Sequence, residues 1–303
     1  MNKMIYTNNN GKLKPVKQID FKLEKELQNL VEKNMETLFG IVFLTTEYVM
    51  TKFRFDSVAY SKENNTFIII EYKKGQNESL VDQGYAYLNT VLDRKADLVL
   101  LYNKVMHGSK QIEDFDWSAI RVFFVSPKFT EYQKTATGYQ KMPFSLFEVN
   151  QYENGTITIN EINDNKIKED PGVLLSPKNS KTKEIHVYTE DDLILELNDS
   201  LKEVYENLKA RIIELGNIKI DPKKVYIAFK CNNKNICDVE PFKKNLKVFL
   251  NLSSGNLDDS KQIAKDVSKT GHHGNGDYSV DINCVEDIDY LMTLIRQSYK
   301  FNS

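Results

Sequence analysis

Phe53-Arg54-Phe55-Asp56-Ser57-Val58 and Phe67-Ile68-Ile69-Ile70-Glu71-Tyr72-Lys73 are the stretches on which the fold turns. Both are rich in aromatic and β-branched residues, and Glu63-Asn64-Asn65 between them is turn-forming, so residues 52–60 and 66–73 read as the two strands of a hairpin. Phe67 to Ile70 is apolar at every position. Such a strand belongs inside a sheet with helices over at least one face. Upstream, Asp20 precedes Leu23, Leu27, Leu30, Val31, Met35 and Leu38, the spacing of one helix over residues 21–38 that Gly40 stops; residues 41–50 then read as a strand. Downstream, Ser79 can cap a helix over 80–94, and 96–102 and 120–126 are apolar enough to be further strands. Residues 144–152 and 156–162 close as a hairpin across Glu153-Asn154-Gly155.

This order predicts an α/β domain over residues 1–162, a mixed sheet flanked by helices. Residues 163–183, with Asp, Asn, Lys, Ser and two prolines, read as a linker. A smaller α+β domain follows over 184–303: a strand at 184–188, a long helix over 191–215, strands at 225–231, 236–241 and 246–252, a short helix at 259–267, a strand at 278–282 and a last helix over 285–299. The length of 303 residues suits two domains of ordinary size.

Three polar residues stand where a buried sheet has no need of them: Asp56, Glu71 and Lys73. Glu71 and Lys73, two apart in a strand, point to one face. A hairpin tip centred between Glu63 and Asn64 pairs residue 56 with 71; a tip centred between Asn64 and Asn65 pairs it with 73. Either register brings Asp56 within reach of both partners, because opposed Cβ atoms lie ~5 Å apart and diagonal ones ~7–8 Å. Two carboxylates held this close repel unless a cation sits between them, and a hard divalent ion such as Mg²⁺ or Mn²⁺ suits oxygen ligands. Such an ion with a lysine beside it suits phosphodiester hydrolysis. The plainer alternative is an ion pair at a sheet edge.

The Asp56…Glu71-Tyr72-Lys73 hairpin is similar to the Asp…Glu-x-Lys core of the restriction-endonuclease-like, PD-(D/E)xK nuclease superfamily, with Phe55 in the place of the motif's Pro. Gln83-Gly84-Tyr85-Ala86-Tyr87 resembles the Gln-xxx-Tyr element of RecB-like nucleases. Glu24 and Asn34, ahead of Leu38-Phe39-Gly40, match the helix that precedes the hairpin in the archaeal and actinobacterial single-strand- and mismatch-directed endonucleases. The resemblance implies a restriction-endonuclease-like fold and a metal-dependent nuclease of nucleic acid, most of all DNA, serving repair or defence against foreign DNA. It implies Asp56 and Glu71 as metal ligands, Glu24 as an outer ligand with Glu32 in competition, Lys73 and Gln83 as catalytic partners, and Tyr87 as a substrate contact; Lys74 and Arg94, in the basic pairs Lys73-Lys74 and Arg94-Lys95, are candidate substrate contacts on charge alone. The alternative is a binding or adaptor protein that keeps the fold without turnover. The whole chain also resembles a bacterial and archaeal family called predicted transport proteins, in which a nuclease-like domain precedes a domain of unknown function.

Composition bounds these readings. The longest apolar runs, such as 67–70 and 98–102, are far short of the ~20 residues of a membrane helix, so no integral transporter is expected. Met1–Val16 holds no apolar stretch of signal-peptide type, and the odd, unpaired Cys231, Cys237 and Cys284 suit reduced thiols, so the expected location is cytoplasmic. The formal net charge is −2, divided evenly between the halves, so any nucleic acid has to be held locally, by a metal, a cluster of lysines or a homodimer. Gly271-His272-His273-Gly274-Asn275-Gly276-Asp277-Tyr278 is open to reading as a phosphate-binding loop, a metal loop or a plain turn.

Overall fold

Residues 4–74, 80–137, 141–162 and 184–303 are the part of the chain that the computed structural model describes. They divide into two units, Met1–Val187 and Tyr188–Ser303. The proposed linker at 163–183 and the Ser79 cap lie outside the described residues.

The first unit opens with a ribbon that the sequence reading did not include. Strands β1 (Ile5–Asn9) and β2 (Lys12–Val16) pair antiparallel around Asn10 and Gly11, both in the left-handed region at φ 51° and 83°. That is the Asn-Gly pair a tight hairpin prefers, and the signal was there to be read. β3 (Gln18–Ile19) follows. The helix expected over 21–38 is two, α1 (Glu24–Glu32) and α2 (Met35–Phe39). Asn34 breaks it: its side-chain amide donates to the Leu30 carbonyl at 2.7 Å, while its backbone N–H turns to Val31. Gly40, at φ 67°, ends α2.

Strands β4 (Val42–Met50), β5 (Phe53–Ser61) and β6 (Thr66–Tyr72) run antiparallel. β4 is irregular: its register against β5 shifts between Phe43 and Thr45, and Glu47 sits at φ 49°. Then come α3 (Leu80–Asp93) and α4 (Lys95–Met106). The strand expected at 96–102 is therefore helix. Leu98, Val99 and Tyr102 bury one helical stripe while Leu100 is 67% exposed, a pattern that a short apolar run does not reveal by itself. β7 (Arg121–Ser126), α5 (Glu131–Thr137), β8 (Phe144–Tyr152) and β9 (Ile157–Glu161) complete the unit. The sheet order is β3-β8-β7-β6-β5-β4, with β9 also on β8, and β6, β7 and β8 are parallel. Leu88, Val91, Leu98 and Tyr102 pack against one sheet face, and Leu27, Val31 and Met35 against the other. Ile68, Ile69 and Ile70 are thus covered on both sides, and the unit is a mixed sheet flanked by helices.

The second unit has its own core. Helices α6 (Glu190–Ile194) and α7 (Asp199–Ile213) replace the single helix expected over 191–215, because Asn198 restarts the helix by accepting the Leu201 N–H at 2.9 Å. β10 (Lys219–Pro222), β11 (Ile227–Cys231), β12 (Lys234–Pro241), β13 (Leu246–Leu250), β14 (Lys265–Asp266) and β15 (Tyr278–Ile282) form an antiparallel sheet of order β10-β11-β12-β13-β15-β14, and α8 (Ile288–Asn302) closes the unit. Residues 184–188 are not a strand and 259–267 are not a helix. In the latter, the Asp259 carboxylate accepts the Ala264 N–H at 2.7 Å and holds a turn instead. The Gly271–Tyr278 segment is a packed turn. A Cβ on Gly276 would stand 1.9 Å from the Leu250 carbonyl oxygen, and the Asn275 side chain donates to buried Asp238 at 2.9 Å. The three cysteines are free thiols, Cys231 and Cys237 buried.

Candidate active site at the end of β6

Alternation within β6 puts Glu71 on the face that α3 covers, and α3 answers it with polar side chains one helical turn apart. Gln83 donates from Nε2 to Glu71 Oε1 at 2.7 Å, and the Tyr87 hydroxyl donates to Oε2 at 3.0 Å. Lys73 Nζ lies 3.0 Å from Oε1. Glu71 is only 5% exposed, and these three donors are what make burying its charge tolerable. Each carboxylate oxygen has about two acceptor positions, so Oε1 is filled and Oε2 keeps one.

The β5–β6 ladder ends with Ser57 opposite Ile70, which makes Asp56 and Glu71 the next pair and fixes the first of the two registers open from sequence. Lys73 N–H points to β7, donating to Val125 at 2.9 Å, so the Tyr72 N–H points to β5. There it meets Asp56 Oδ2, at 2.9 Å. Among the described residues nothing donates to Asp56 Oδ1. Burial, and next the Glu71 charge, push the Asp56 carboxyl up to about 7 against the pull of the Tyr72 N–H. Glu24 and Glu47 add smaller pushes in the same direction.

Other expected residues divide. Glu24 lies near the pair, its Oε2 accepting the Lys74 N–H at 2.9 Å, so it anchors the chain leaving β6. Lys74 reaches back to the Lys22 carbonyl at 2.5 Å. Glu32 is on the other side of the sheet, where Ser57 and Gln28 donate to its Oε1 at 2.7 and 2.9 Å. Tyr87 is 4% exposed, with the edges of Phe53 and Phe55 against its ring, so it holds Glu71 and is not a surface for substrate. Burial, then the Glu71 charge, raise its hydroxyl pKa and keep it a donor. Arg94 follows the last turn of α3, bound to Asp97 at 2.7 Å and ~16 Å of helix rise beyond Gln83. The structure does not bring it to the carboxylates.

Sequence reasoning missed Gln28. It is buried, and its Nε2 lies within hydrogen-bond distance of Thr46 Oγ1 at 3.1 Å and the Asp56 carbonyl at 3.0 Å, which ties α1 to β4 and to the strand carrying Asp56. A glutamine beside Leu27 on the apolar stripe was its only trace. Gln83 Oε1 is the other surprise: a buried acceptor without a partner among the described residues. Among the described residues no group of three or more His, Cys, Asp or Glu side chains could hold a metal ion. A cation here would have two carboxylates, Asp56 and Glu71, and would take its remaining ligands from water and substrate.

The chain is 42% identical over 300 residues to an uncharacterized protein of Haemophilus influenzae, covering 98% of this chain and 99% of that one. A domain of unknown function, DUF5655, matches residues 190–302. Among solved structures, a repair endonuclease from Pyrococcus abyssi matches with a TM-score of 0.26 and 19% identity, over 39% of this chain and 43% of that chain. EndoMS in a complex with double-stranded DNA matches with a TM-score of 0.22 and 18% identity, over 39% and 42%. End-to-end identity at the level of the Haemophilus influenzae relative means that this chain belongs to that protein's family.

Proposed function

We propose that the first unit is a metal-dependent nuclease acting on DNA, with Asp56 and Glu71 as the ligands of Mg²⁺ or Mn²⁺. The observation that carries the reading is the pairing of Asp56 with a Glu71 that is buried yet held by Lys73, Gln83 and Tyr87. Two features fit a cation: among the described residues nothing donates to Asp56 Oδ1, and the Asp56 carboxyl is raised by burial and then by the Glu71 charge, a repulsion that a divalent ion would reverse. Once bound, the ion would activate a water and hold a phosphate oxygen. The protein's own groups do the positioning. Lys73, fixed beside Glu71, can orient the attacking water and offset charge gathering on the phosphate. Gln83 keeps Glu71 aimed, and its Oε1, without a partner among the described residues, can accept from that water. Lys74, at the exit of β6, is the candidate phosphate contact. DNA as substrate, and a part in repair or defence, come from the resemblance to the mismatch-directed endonucleases.

The test is incubation of purified protein with single-stranded, duplex and branched DNA in Mg²⁺ or Mn²⁺, beside Glu71→Ala and Lys73→Ala. Metal-dependent cutting that both substitutions lower by about a hundredfold or more supports the reading. Equal cutting by all three proteins refutes it. The full set of donors around Glu71 favours one other reading, a nucleic-acid-binding protein without turnover, which would bind DNA in the same assay and leave it whole.

A further inference from the structure

We propose that the β1–β2 ribbon is a second contact for nucleic acid, a basic arm that grips the phosphate backbone beside the carboxylate pair; the proposal rests on the nuclease reading above. Residues 4–19 contain Lys12, Lys14 and Lys17 and no acidic residue, in a chain whose net charge is −2. All three lysines are exposed, and among the described residues none of their ammonium groups has a carboxylate partner, although the Lys17 backbone N–H donates to Glu153 Oε1 at 3.3 Å. Lys12 and Lys14 share one face of the ribbon, about 6.8 Å apart along β2. The opposite face carries Tyr6, 45% exposed, and Leu13, 65% exposed. Apart from buried Val16 and half-buried Ile5 and Thr7 on the lysine face, the ribbon is exposed, so it has little core of its own and gains from a surface to lie on. Its charge selects a polyanion.

The strand pairings place the root of this arm at the site's end of the sheet. Gln151 pairs with Ile157 on one side and with Ile19 on the other, so β3 lies on the β7 side of β8, past the last β7 pair, Ser126 with Glu148. β6, β7 and β8 are parallel, and Glu71 is level with Phe124 and Leu146. Ile19, level with Gln151, is then five residues, about 17 Å, beyond Glu71 along the strands and one strand aside from β6, and Lys17, whose carbonyl accepts from the Glu153 N–H at 2.9 Å, lies farther along the same direction. From there the chain returns to Lys22, whose carbonyl accepts from Lys74 at the exit of β6. A nucleic-acid strand that crosses the carboxylates and continues past the end of β6 would run toward this root.

The experiment measures binding of a labelled single-stranded oligonucleotide and of its duplex, in EDTA to prevent turnover, across a salt series. It compares wild type with Lys12→Ala/Lys14→Ala/Lys17→Ala and with a control of three exposed lysines elsewhere in the unit, Lys33→Ala/Lys62→Ala/Lys104→Ala. The expected result is affinity about tenfold weaker or more at low salt and a log–log salt slope shallower by about 2–3 for the arm variant alone. A slope unchanged from wild type overturns the arm and leaves the nuclease reading standing if wild type still cuts DNA. Absence of oligonucleotide binding by wild type, with no cutting in metal, overturns both. A self-association that the arm variant loses while keeping its salt slope assigns the ribbon to a second copy of the chain and overturns the proposal. The lysines are exposed, so unchanged melting temperatures are expected and keep loss of fold out of the comparison.

Discussion

Asp56 carries the clearest titration in the first unit. Its carboxyl is raised to about 7 from an ordinary value near 3.8, so the native state holds a proton that the unfolded chain has released. Stability is therefore greatest at low pH on this account and declines as pH rises from about 4 through about 7, by at most about 1.4 kcal/mol per pH unit. Melting in EDTA at pH 5 and pH 8 should show that fall, and Asp56→Asn should remove it. Added Mg²⁺ should raise the melting temperature at pH 8 more than at pH 5, and the gain should be lost in the Asn variant. Tyr87→Phe takes one donor from Glu71 Oε2, with an expected loss of about 1.5–3 kcal/mol by denaturant melt. The three residues of the Asp56, Glu71 and Lys73 cluster were legible because alternation and register need only counting. Gln28 and the demotion of Tyr87 from substrate contact were not, since each depends on which way a helix is rolled against the sheet.

At the scale of elements, α3 shows packing overriding propensity. Gly84 is a poor helix former in mid-helix, yet a Cβ there would stand 2.5 Å from Phe144 Cε1. Gly84→Ala should therefore destabilise by about 1–3 kcal/mol, although alanine favours helix, and a thermal melt decides it. The hairpin β5–β6 and the strands β7 and β8 were readable because their apolar content and turn residues agreed. The failures have a common form. Residues 96–102 carry an apolar run too short to show its period, and Asn34 and Asn198 end or restart helices through side-chain hydrogen bonds that an apolar stripe conceals.

At the scale of the molecule, two separate cores suggest that Tyr188–Ser303 needs no help to fold. Its buried cluster, with Val204, Tyr205, Phe229, Val248, Leu291 and Ile295 among its members, draws on α7, α8 and the sheet of that unit. The fragment 188–303 expressed alone should melt cooperatively, and a non-cooperative melt would count against independent cores. Within it, Gly276→Ala should be more damaging than Gly84→Ala. Gly276 has φ 88° and meets backbone, which yields less than the Phe144 ring does.

The irregularity of β4 has a consequence for assembly. It is the outer strand on its side of the sheet, the position from which sheets recruit strands of other molecules into aggregates. The slipped register at Phe43–Thr45 and left-handed Glu47, which ion-pairs with Lys25 at 3.0 Å, give that border a bend and charge in place of a straight row of backbone donors. Strand addition from a neighbour is discouraged there, so on this border the sheet has a built-in stop to growing from one molecule into the next.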